Sequence, residues 1–94
     1  MLSNLIEELV VSCFELTEQS KARSLLEHEC STGLPMVDDD AALIERIQVA
    51  VIKLSRGNLD ALVNCINEAQ DDWRDVLDAA GFYNDTKAHL NWKP

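Results

Sequence analysis

The side chains that could do chemistry fall in a few short stretches. Glu27, His28, Glu29 and Cys30 stand in a row. They mix metal-ligand types, but a structural zinc site takes four ligands, and neither a C-x-x-C nor an H-x-x-x-H pair completes the set. A thiol at the end of a helix among acids sits in a field that raises its pKa, so Cys30 is not expected to act as a nucleophile. Asp38, Asp39 and Asp40 offer oxygens to a hard cation. Yet consecutive acids point in different directions, and the spaced acids and glycine of a calcium loop are missing. They read as helix-capping residues, and no metal or cofactor is expected.

Catalysis by a nucleophile would need a base and an oxyanion site. The chain has two histidines, His28 and His89, and neither a nucleophile elbow nor a glycine-rich phosphate loop. No enzymatic activity and no small-molecule substrate are expected.

The most distinctive stretch is Asp71, Asp72, Trp73, Arg74, Asp75 and Asp78. An aromatic and an arginine in an acidic rim resemble the anchor of a protein interface. Ordinary packing of Trp73, with Arg74 bracketed by Asp71 and Asp78 on one helix, is the competing reading.

These residues must be positioned by helices. The longest run that is both apolar and helix-periodic is Ala41 to Arg56. At 100° per residue Leu43, Ile44, Ile47, Ala50, Val51 and Leu54 form one stripe. Val49 and Ile52 fall on the opposite side, among Glu45, Arg46, Gln48 and Lys53. A helix apolar on two sides is sandwiched between neighbours, so a central helix over about 40–56 is predicted. Other helices of the chain, or a second copy, must cover Val49 and Ile52.

The rest of the chain supplies the cover. A first helix runs from about Asn4 to Glu15, with Asn4 and Glu7 as a capping pair. Its apolar side holds Leu5, Ile6, Leu9, Val10, Cys13 and Phe14, broadened by Val11 and Leu16. Thr17 caps a thinly apolar second helix reaching about Cys30, with Arg23 and Glu27 spaced for an ion pair. Gly33 and Pro35 open a loop from which Leu34, Met36 and Val37 tuck into the core. Gly57 ends the central helix and Asn58 caps a fourth over Leu59 to about Gln70. Asp71 or Asp72 begins a fifth, which Gly81 stops with Phe82 packed back on Leu77. A short sixth starts at Asn84 or Asp85, docking Leu90 and Trp92. The fold class is all-α, a small orthogonal bundle of five to six helices in a single domain.

Charge bounds the partners. The net charge is −9, with −7 in residues 1–40 (nine acids, two bases) and −2 in residues 41–94 (eight acids, six bases). Such a field disfavours nucleic acid and anionic membranes and favours a basic protein surface. An odd number of cysteines, with no leader-like or membrane-spanning run, points to reduced thiols in the cytoplasm. The expected function is a protein-interaction or structural module, with Val49, Ile52, Val11, Phe14, Trp73 and Arg74 as candidate interface residues and a homodimer as one arrangement. The alternative is an acidic inhibitor, such as an immunity protein, antitoxin or nucleic-acid mimic, held in a basic site.

Overall fold

A computed structural model describes residues 2–31, 34, 37 and 40–94. It contains α1 (Asn4–Cys13), α2 (Leu16–Glu29), α3 (Ala41–Ser55), α4 (Leu59–Ala80) and α5 (Ala88–Asn91), and no strand among the described residues. The radius of gyration is 11.7 Å, close to the roughly 12 Å that a compact chain of this length adopts. The all-α bundle predicted from periodicity is what forms.

The central helix is α3. It packs most extensively on α4, and α1 and α5 also lie against it. Val49 and Ile52 are fully buried and belong to the same core cluster as Ile6, Val10, Leu26, Leu62, Ile66 and Leu77. The second apolar side of α3 is therefore covered within the chain. Gln48 is buried as well, although periodicity places it on the polar side. Its amide donates to the carbonyls of Cys30 (2.9 Å) and Leu26 (3.5 Å). Gln70 donates to the carbonyl of Glu29 at 2.8 Å. These amides satisfy C-terminal carbonyls of α2 that have no partner inside the helix.

Caps set the boundaries, and several differ from expectation. Ser3, not Asn4, caps α1 by accepting from the Ile6 amide. α2 begins two residues earlier than a Thr17 cap would allow, with Glu15 at its N-cap and no side-chain bond there. As a result Leu16 is 83% exposed instead of extending the apolar side of α1. Arg23 pairs with Glu7 of α1 at 3.0 Å instead of with Glu27 along its own helix. Asp40 caps α3 through the Leu43 amide, while Asp38, Asp39, Gly33, Pro35 and Met36 lie outside the described residues. Leu34 and Val37 are buried, as expected.

The corner between α3 and α4 uses two left-handed residues, Arg56 (φ 52°) and Gly57 (φ 76°), followed by Asn58, whose side chain accepts from Ala61. Glycine is required at 57 twice over. Its φ is costly for other residues, and a Cβ there would collide with the Cys13 carbonyl oxygen of α1.

The expected break between a fourth and a fifth helix exists inside α4. Asp72 leaves helical geometry (φ −152°, ψ 96°), and its carboxylate accepts from the Arg74 amide at 3.1 Å. It is the N-cap of a second helical segment. That segment ends in a Schellman motif: Gly81 has φ 81°, the Phe82 amide donates to Leu77 and the Gly81 amide to Asp78.

Candidate functional site

The N-terminal half of α3, the second segment of α4 and the turn after Gly81 enclose an open groove of about 440 Å³. Its lining includes Leu43, Trp73, Leu77 and Tyr83, with Asp40 and Arg46 at its edges. The kink at Asp72 explains how Trp73 reaches it. Restarting the helix there changes the angular phase of everything downstream, so Val76, Leu77 and Ala80 turn into the core while Trp73 stays half-buried at the margin.

The far wall is held by Arg46. Its guanidinium donates from Nε to the Phe82 carbonyl (3.0 Å) and from Nη2 to the carbonyls of Phe82 and Tyr83, the latter at 2.6 Å. Lys53 adds a second cationic tie. Its ammonium donates to the Ala80 carbonyl at 2.7 Å and lies 4.9 Å from the Phe82 ring centre. Phe82 is buried by this arrangement, and Tyr83, one residue on, is thrown outward at 47% exposure. Both cations neutralise the carbonyl-rich end of α4, where the helix dipole is negative.

A second, polar hollow adjoins the groove across Tyr83. It is lined by Asp72, Arg74, Asp75, Asp78 and Asn84. Arg74 Nε meets Asp72 Oδ1 at 3.3 Å, so the arginine pairs with the capping carboxylate two residues before it and not with Asp71 or Asp78. The non-helical Asp72 brings its side chain back over the first turn, which a regular helix would not allow.

Behind the groove, α5 inserts His89, which is 5% exposed. The expectation that Leu90 would dock is corrected: Leu90 is 49% exposed, and the short helix turns His89 inward. Its ring meets Phe82 edge-on at 6.3 Å. Nε2 lies 3.8 Å from Glu45 Oε1, and Nδ1 is buried with no hydrogen-bond partner among the described residues. Burial pushes the imidazole pKa down, opposed by the Glu45 carboxylate and helped by the Arg46 charge. Trp92 is half-buried against the core, as expected.

The predicted interface residues are thus dispersed. Val49, Ile52 and Phe14 are buried core residues, so the Val49/Ile52 side of α3 is covered within the chain. Val11 is 56% exposed in a separate shallow hollow with Glu7, Glu8, Ser12 and Arg23. Trp73 and Arg74 alone reach the groove and its polar neighbour. Leu43, Arg46 and Tyr83 join Trp73 there although the sequence did not mark them as site residues. A tyrosine directly after a Gly-Phe helix stop was the one local signal available for an outward-facing aromatic.

Burial disfavours the thiolate form of all three cysteines. Cys30 is fully buried, and its pKa is pushed up to about 12 by burial. Cys13 and Cys65 are half-buried with raised pKa values, by burial in both and by Glu68 as a lesser cause for Cys65. All three are free. No group of three or more acidic, histidine or cysteine side chains is placed to hold a metal among the described residues, and no described helix is long and apolar enough to cross a membrane. Comparison with protein-family models, curated proteins and solved structures returned no match.

Proposed function

We propose that this chain is a non-catalytic protein-interaction module whose docking face is the groove between α3 and the second segment of α4. The observation that carries this reading is Trp73, half-buried in a groove walled by Leu43, Leu77 and Tyr83. Large aromatics in partly apolar hollows with a polar rim are what protein interfaces use as anchors. The free thiols suit a reducing compartment such as the cytoplasm.

The acidic-inhibitor alternative leans on the first forty residues. Within them Glu7 is engaged by Arg23 and Asp40 by the α3 amides, which favours the groove over that half as the docking face.

The test is capture from cell extract by the wild-type chain and by Trp73→Ala and Leu16→Ala variants of equal helicity. A partner retained by wild type and Leu16→Ala but lost with Trp73→Ala supports the groove. Equal retention by all three overturns it. Light scattering coupled to size exclusion is expected to give a salt-independent monomer, because the apolar face once available for a dimer is internal.

A further inference from the structure

We infer that the groove receives a cationic peptide segment, one that sets a bulky apolar side chain against Trp73 and Leu43 and a lysine or arginine against Asp75 and Asp78. This rests on the groove being the docking face and adds the chemistry of its occupant.

The geometry is two hollows sharing one wall. Tyr83 lines both the groove of Leu43, Trp73 and Leu77 and the hollow of Asp72, Asp75 and Asp78. Among the described residues of the groove Asp40 and Arg46 carry one charge of each sign, and Arg46 is already tied to the Phe82 and Tyr83 carbonyls. That compartment selects for apolar bulk. In the neighbouring hollow three carboxylates face one guanidinium, and Arg74 is paired with Asp72. Asp75 and Asp78 are both exposed, and no salt bridge or side-chain hydrogen bond engages either among the described residues.

An occupant must therefore carry an apolar anchor and positive charge close together. A peptide supplies both on adjacent side chains, whereas phosphate-bearing ligands meet the wrong sign of field. Tyr83, which lines both hollows, supplies an aromatic ring with which such a cation can pair.

The test uses three synthetic 12-residue peptides with the same leucine and phenylalanine positions and with lysine, serine or glutamate at the remainder, titrated into the isotope-labelled full chain and followed by amide NMR. The lysine peptide is expected to shift the signals of Leu43, Trp73, Leu77 and Tyr83 and to bind at least about tenfold tighter than the serine peptide, with the glutamate peptide weakest. Asp75→Asn with Asp78→Asn should weaken the lysine peptide by about tenfold and leave the serine peptide within about twofold.

Glu15→Asn with Glu18→Asn, which removes equal charge from the hollow at the opposite corner, should leave both peptides within about twofold. If the two double variants act alike, attraction is to net charge alone and the inference falls. Equal binding of the serine and lysine peptides at the groove also overturns it, while leaving the docking face standing. If no peptide shifts the groove signals, both the docking face and its occupant are overturned.

Discussion

The two ends of the α3–α4 hairpin are built on opposite principles. At the corner, Arg56, Gly57 and Asn58 turn the chain through backbone conformation, and the Gly57 backbone lies directly on the Cys13 carbonyl of α1. At the other end the chain is held apart from itself. Arg46 reaches across to the carbonyls of Phe82 and Tyr83, and the groove opens beside that bridge. The hollow beside the corner is lined mainly by polar groups, Glu15, Glu18, Arg56, Asn58 and Asp60 among them, whereas the one beside the Arg46 bridge is walled by Leu43, Trp73 and Tyr83. The proposed binding end is thus the end held by side chains, and it should also be the less stable of the two.

Substituting the corner is expected to have the largest effect. Gly57→Val combines an unfavourable left-handed conformation with a clash against main chain, and should cost about 3 kcal/mol. In thermal unfolding that is a drop of roughly 15 °C for a domain of this size. Gly81→Ala is the matched control: its φ is 81° but nothing lies within 4 Å of the added Cβ, so the loss should be about 1 kcal/mol. Equal losses at the two glycines would remove the role assigned to the Cys13 contact.

Arg46→Met keeps the aliphatic stem but removes the donors to Phe82 and Tyr83. The expected loss is about 2 kcal/mol, accompanied by faster amide exchange confined to α5 and the turn before it. Uniformly faster exchange would mean that Arg46 supports the whole bundle and not the groove wall. Asp72→Ala removes the cap of the second α4 segment and should cost about 1 kcal/mol. If it instead stabilises the chain, the kink is not held by that cap.

The smallest effect expected is on pH dependence. Because burial lowers the His89 pKa in the folded state, the unfolded chain takes up this proton first as pH falls below the ordinary value of 6.5. Stability attributable to His89 is thus full above that value and is lost as pH falls toward the folded-state pKa. Chemical denaturation at a series of pH values should show this slope, and His89→Gln should flatten it. Glu45→Gln removes the carboxylate that favours the protonated form, so the slope should steepen. A shallower slope in Glu45→Gln would mean that the carboxylate is not what opposes the shift.

Much of the bundle was legible in the sequence because it rests on local rules. The caps at Asp40 and Asn58, the stop at Gly81 and the restart at Asp72 each follow from one residue type and its immediate neighbours. Errors gathered where two local candidates competed, as with Ser3 against Asn4, or where partners lie far apart in the chain. Arg23 had a suitable acid four residues on and found Glu7 on another helix instead. Gln48 looked like a solvent-facing residue and is buried on the α2 carbonyls. Of the candidate interface, Trp73 was recognisable by its acidic surroundings, but the walls that make it part of a groove come from three separated segments.

Periodicity and capping chemistry determined by themselves that this chain is all-α and, to within a few residues, where its helices start and stop, because those depend on interactions between near neighbours. Which side of α3 meets water, whether Val49 and Ile52 bind another molecule or their own chain, and where a groove opens were decided only by tertiary packing. Those outcomes depend on which distant helix supplies the covering side chains, and hydrophobic burial has no direction by which a sequence could announce its partner.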